Sequence, residues 1–157
     1  VHALDAGRVH LDGGAMFGIV PKPLWERRAP ADDRNRIALA LRCLLVEHDD
    51  GLVLVDTGIG TKESARFHDL YGVENAARDG GDRLVAALRA LGHAPEDVRL
   101  VVNTHLHFDH AGGNTVREPD GALRPAFPNA RWLVQRGELD FATHTSERTA
   151  ASYLAPN

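Results

Sequence analysis

The chain has 157 residues, 43% of them apolar and 25% charged, a composition that supports one domain with a core of its own. A net charge of −4 offers no basic face for nucleic acid or an anionic membrane, and no apolar run approaches the length that spans a bilayer. The single cysteine, Cys43, excludes an internal disulfide and fits a reducing cytoplasm.

The opening VHALDAGRVHLDGG lacks the basic start and apolar stretch of a signal peptide, and none is expected. Residues 8–20 read as two short strands broken at Gly13-Gly14. A Pro- and charge-rich loop follows, in which Trp25 is expected to be exposed. Residues 36–47 and 52–55 form the clearest hairpin, two apolar runs flanking a turn at Asp50-Gly51, with Cys43 as a core thiol. The second run ends in DTGIG, where glycines let the chain turn sharply.

Residues 62–71 read as a short helix. Residues 82–91 read as a stronger one, with Leu84, Val85, Leu88 and Leu91 on one face and Gly92 as its C-cap. A buried strand is expected over Leu100–Asn103, then a polar Pro-bearing loop, a strand over 131–135, a helix through RGELDFATH and a closing loop. Without repeats or linkers, strand-helix alternation after an antiparallel meander argues for one domain, residues 1–157, of mixed α/β layers.

At the end of the Leu100–Asn103 strand stands NTHLHFDHAGGN, residues 103–114. His105 and His107 are two apart, so in extended chain they point to the same side and can pinch one cation. Asp109 and His110 follow where the chain turns and can address a second. Imidazole and carboxylate without thiolate suit zinc, with iron or manganese as alternatives. Two such ions ~3.5–4 Å apart can share a hydroxide that attacks a carbonyl or phosphoryl group at neutral pH.

THLHFDHAGG resembles the metal-binding signature of the metallo-β-lactamase superfamily, and LVDTGIG at 54–60 resembles the strand-turn that precedes it there. The spacing from Asp56 to His105 and the opening DGGAMFGIVPKPLW are similar to the lactonase and organophosphate-hydrolase-like branch. The resemblance implies an αββα sandwich, of which this chain is the N-terminal portion. It also implies two divalent metal ions, His105 and His107 binding the first and Asp109 and His110 the second. Asp109 would in addition pass protons to the leaving group. Asp56 would orient the ligands from behind, cap the tight turn, or do both. In this branch the substrate pocket is built partly by the N-terminal meander, which makes Met16, Phe17, Trp25 and Phe108 the candidate apolar lining.

The superfamily site also takes a third His, a bridging Asp and a last His, and nothing here matches them. His144 sits on a predicted helix with the wrong neighbours and reads as a surface residue. Two ligands per metal fall short of the three that a catalytic zinc takes, which implies that the rest lies beyond residue 157. The inner face of such a half would stand open to water.

The function implied is a metal-dependent hydrolase that opens a lactone or related ester, a small-molecule substrate, by attack of a metal-bound hydroxide. Alternatives on the same fold are an organophosphate or phosphodiester hydrolase, a thioesterase or a β-lactamase. A catalytically silent chain with an incomplete metal site, or one completed by another polypeptide, is the alternative of a different class. A homodimer is the expected assembly if the chain self-associates, with no nucleic-acid or membrane partner.

Overall fold

The computed structural model describes all 157 residues. Strand β1 (His2–Asp12) leads through two short helices, α1 (Gly13–Phe17) and α2 (Lys22–Trp25), to the hairpin of β2 (Arg36–His48) and β3 (Gly51–Val55). Helices α3 (Ala65–Tyr71) and α4 (Arg83–Ala90) precede β4 (Val98–Val102), and α5 (Phe108–Ala111) opens the histidine-rich segment's exit. A small hairpin of β5 (Thr115–Arg117) and β6 (Leu123–Pro125), then β7 (Arg131–Leu133) and α6 (Arg136–Thr143), complete the elements.

Five strands form one mixed sheet in the order β1-β2-β3-β4-β7, antiparallel through β3 and parallel from β3 to β4 and β7. Period-two alternation turns Ile37, Leu41, Cys43 and Leu45 of β2 inward. In β1 the inward set changes phase, from Leu4 and Ala6 to Val9, because a bulge between Asp5 and Gly7 inserts one residue against β2. Leu84 and Leu88 of α4, one turn apart, close the core against Leu54, Val98 and Val101. The Asp5 carboxylate ties α4 to the sheet by taking Arg83 on one oxygen and Arg42 on the other. Burial, with the Asp56 and Asp82 carboxylates, pushes the Cys43 thiol up to about 12, so it is an inert core group, as expected.

The hairpin, the three expected helices and the strand before the histidines are present. Four readings are corrected. Residues 8–20 are not two strands: β1 ends at Asp12, whose carboxylate caps α1 by accepting from the Ala15 N–H (2.7 Å). Trp25 is 4% exposed, stacked on Phe17 (5.0 Å, 8°) and seated against Gly13. The expected loop after the histidines contains the β5–β6 hairpin. On α4, Leu84 and Leu88 are buried, whereas Leu91, expected on the same face, is exposed because the helix has already ended.

Two polar side chains, half-buried Asp82 and buried Lys62, are answered internally. Asp82 caps α4 by accepting from the Leu84 and Val85 N–H groups (2.7 and 3.1 Å). Lys62 buries its side chain and donates from Nζ to the Gly112 carbonyl. Burial lowers its amine from the ordinary lysine value to about 8, although Glu63 (3.9 Å) works in the opposite direction.

Asp82→Ala is expected to destabilise the protein by about 1 kcal/mol through loss of the cap, read by urea unfolding at pH 7. A second measurement concerns Lys62. Its native value lies below its unfolded one, so between about pH 8 and 10.5 the unfolded chain keeps a proton that the native state has released. Relative to Lys62→Met, the wild type should gain stability as pH rises through that window and show no such trend below pH 7. A flat difference from pH 7 to 10 would contradict the buried-amine assignment.

Candidate metal centre

The site forms at the C-terminal ends of the parallel pair β3–β4. The Asp56 N–H donates to the Val102 carbonyl (2.9 Å), extending the pairing by one step and delivering Asp56 beside the residue after Asn103. Asp56 itself is in the left-handed region (φ 59°), which a non-glycine residue seldom occupies and which marks a place where surrounding contacts over-determine the backbone. Its carboxylate accepts from the Thr104 N–H (2.8 Å), from the Thr104 hydroxyl (2.8 and 3.0 Å) and from His110 Nδ1–H (2.8 Å). Burial works to raise the Asp56 carboxyl, but the bonds from His110 and Thr104 outweigh it and hold the group below the usual carboxylate range.

These bonds set the state of two imidazoles. A carboxylate only accepts, so His110 carries its proton on Nδ1 and turns Nε2 outward, where it lies 3.5 Å from Asp109 Oδ2. Thr104 spends its single hydroxyl proton on Asp56, so at 3.1 Å His105 Nδ1–H must be the donor to Thr104 Oγ1. His105 thus also presents Nε2. The bond from Asp56 raises His110 above the ordinary histidine value; desolvation, with His110 and His107 nearby, lowers His105. The rings gather: His105 is 4.0 Å from His110 and 4.6 Å from His107 between centroids.

The segment is held from below by close backbone packing. Thr57 N–H donates to the His110 carbonyl (2.8 Å) and Gly113 N–H to the Gly58 carbonyl (3.0 Å). A side chain at Gly112 or Gly113 would run into the backbone of Ile59 or Thr57, and Gly60 (φ 69°) would meet Gly112 and Gly113 at 2.9 Å. Asn103 and Asn114, the two ends of the histidine-rich stretch, exchange side-chain hydrogen bonds (3.1 and 3.2 Å), and the Thr57 hydroxyl joins them at Asn114 Oδ1 (2.9 Å).

The structure therefore brings together Asp56, His105, His107, Asp109 and His110. It does not assemble any three His, Cys, Asp or Glu side chains into a group arranged to hold a metal ion. The donors nevertheless suit a divalent cation: outward Nε2 atoms backed by a carboxylate and a hydroxyl are how metal-binding histidines are ordinarily oriented.

Of the expected apolar lining, Phe108 adjoins the histidines, but its ring is 5% exposed and packs against Phe67 (5.2 Å) and Tyr71 (4.7 Å) in the core. Met16 is exposed, and Phe17 and Trp25 gather around α1 and α2. His144 lies on the surface, its Nδ1 bonded to the Asp140 carbonyl. Thr104, Lys62, Asn103 and Asn114 were not anticipated. Asn103 and Asn114, at the two ends of the motif, carried a signal of their own, whereas Lys62 had none.

Comparison with known proteins agrees with this geometry. A family described as the metallo-beta-lactamase superfamily matches residues 39–117, just over half of the chain. An N-acyl homoserine lactonase from Bacillus cereus is 36% identical over 121 residues, covering 72% of this chain and 43% of the relative. A probable metal-dependent hydrolase from Staphylococcus aureus superposes with a TM-score of 0.86 at 35% identity, over 99% of this chain and 53% of that one. An N-acyl homoserine lactone hydrolase with N-hexanoyl-L-homoserine bound at its catalytic metal centre superposes with a TM-score of 0.64 at 28% identity, over 99% and 54%. The chain spans about half the length of these relatives. With the matched family, the mixed sheet and the strand-end histidines in agreement, the chain belongs to the metallo-β-lactamase superfamily.

Proposed function

We propose that the protein to which this chain contributes is a metal-dependent lactonase acting on acyl-substituted lactones of the N-acyl homoserine type. The observation that carries the reading is the Asp56 carboxylate, which fixes the outward Nε2 of His110 directly and that of His105 through Thr104. In this reading His105 and His107 would hold one divalent ion and Asp109 and His110 a second. Zinc best fits imidazole and carboxylate donors without thiolate. The remaining ligands come from sequence outside these 157 residues, a view supported by the half-length coverage of the relatives. When bound, the ions supply Lewis-acid polarisation of the lactone carbonyl and a water acidified enough to attack it.

The chain's own residues do the positioning and the proton handling. Asp109, half-buried and 3.5 Å from His110 Nε2, would take the proton from the attacking water on its carboxylate and return it to the ring oxygen as the ester bond opens. Asp56 contributes by orientation, since both of its oxygens are occupied by Thr104 and His110. The reading places the enzyme in the reducing cytoplasm, in keeping with the single free thiol of Cys43.

In the full-length protein, His107→Ala and Asp109→Ala should each slow opening of N-hexanoyl-L-homoserine lactone by about two to four orders of magnitude, followed by proton release in a pH-stat. Dialysis against a chelator should abolish the activity, and zinc should restore it. Wild-type rates in either variant would overturn the assignment. Retained activity on a phosphotriester or a thioester, with none on the lactone, would move it to another substrate class.

A further inference from the structure

The loop that carries the histidines hangs from alternate amides. Thr104 N–H donates to Asp56 (2.8 Å), Leu106 N–H to Glu138 Oε1 (2.8 Å) and Phe108 N–H to the Ser152 carbonyl (2.9 Å). The first anchor belongs to the turn after β3, and the third is a backbone carbonyl that any residue could offer. Glu138 is different: a half-buried carboxylate in the first turn of α6, reaching back 32 positions to the one amide between His105 and His107.

Tyr153 stands near the same carboxylate, and desolvation and the Glu138 charge hold its phenol above the ordinary value. The Tyr153 ring meets the His107 imidazole edge-on (4.7 Å, 79°) and leans on Phe141 (5.7 Å) on its other side. His107 has no carboxylate of its own comparable to the one Asp56 gives His110. Its surroundings are instead the Leu106 amide, tied to Glu138, on one side and the Tyr153 ring on the other. An ionised carboxylate suits this task because its bond from an amide is charge-assisted.

We propose that Glu138 is a positioning residue for His107, its carboxylate fixing the backbone at Leu106 while the Tyr153 ring flanks the imidazole, so that the imidazole is presented to a divalent metal ion in a single orientation. The inference rests on the reading of His107 as a metal ligand.

The test uses the full-length protein as wild type, Glu138→Ala, Glu138→Gln and Tyr153→Phe. Zinc affinity is measured by competition with a chromophoric chelator, and the His107 ring resonances are recorded in the metal-free protein. Glu138→Ala should weaken zinc binding about 10- to 100-fold and shift the His107 resonances. Glu138→Gln, which keeps an acceptor for the Leu106 amide, should recover most of both. Tyr153→Phe, a variant that leaves the Leu106 bond intact, should give a smaller shift confined to His107. A general loss of stability would lower the melting temperature without moving His107 in the folded state.

Wild-type affinity and unmoved His107 resonances in Glu138→Ala would overturn the proposal. So would weakened affinity with His107 unmoved, since the effect would then be one of charge. If the wild type binds no zinc, the ligand reading fails. The metal-free resonances would still decide whether Glu138 positions His107.

Discussion

A single carboxylate organises the chemistry at the end of this sheet. Asp56 accepts from the Thr104 amide, the Thr104 hydroxyl and the His110 ring, and in doing so sets which nitrogen each of two imidazoles presents. Burying a charge is costly unless it is fully partnered, and here the partners are the groups that need orienting, so the cost and the function are met by the same bonds. The arrangement depends on β3 and β4 lying parallel and in register. The Asp56 N–H continues their ladder onto Val102, which leaves its side chain level with Thr104. Sites outside the carboxyl ends of parallel strands are a general outcome of α/β folds, and here the last rung of the ladder sets the distance.

Beneath that carboxylate the turn DTGIG and the run AGGN are pressed backbone to backbone. Glycine at 60, 112 and 113 is what permits the approach. The polar groups that the approach buries are answered internally. Asn103, Asn114 and Thr57 satisfy one another, and the Gly112 and Gly60 carbonyls take Lys62 and Asn75. A network of this kind rigidifies when complete and is a liability when partly satisfied. Its completeness gives the histidine loop a fixed floor. The loop itself stays short, and α5 begins as soon as His107 has been placed.

The parts of this design legible in the sequence were those written at short range. Period-two burial announced the β2–β3 hairpin, i,i+4 leucines announced α4, and the density of histidines after a buried strand announced the site. The parts that escaped were written at long range. Residues 13–17 look like a broken strand until Asn35, 22 positions on, offers its carbonyl to the Gly13 N–H and lets Asp12 cap a turn of helix. Trp25 reads as exposed among its charged neighbours until Phe17 stacks on it. Lys62 and Glu138 carry no local mark at all, because their partners at Gly112 and Leu106 lie 50 and 32 positions away. Phe108 read as pocket lining, and the aromatic pair on which its ring packs, Phe67 and Tyr71, comes from α3.

The histidine loop borders an exposed apolar surface. Leu106, between His105 and His107, lines a cavity of about 340 Å³ with Trp132, Leu133 and Leu139. Those last three residues and Phe141 leave between 39% and 54% of their surface in water. Contiguous apolar surface of this kind is what a chain hides against further structure. Leu106 thus joins this apolar surface to the histidine segment, so the wall of the cavity and the spacing of His105 from His107 are set by the same residue, while the Asp56 carboxylate sets the ring orientations from the opposite end of the loop.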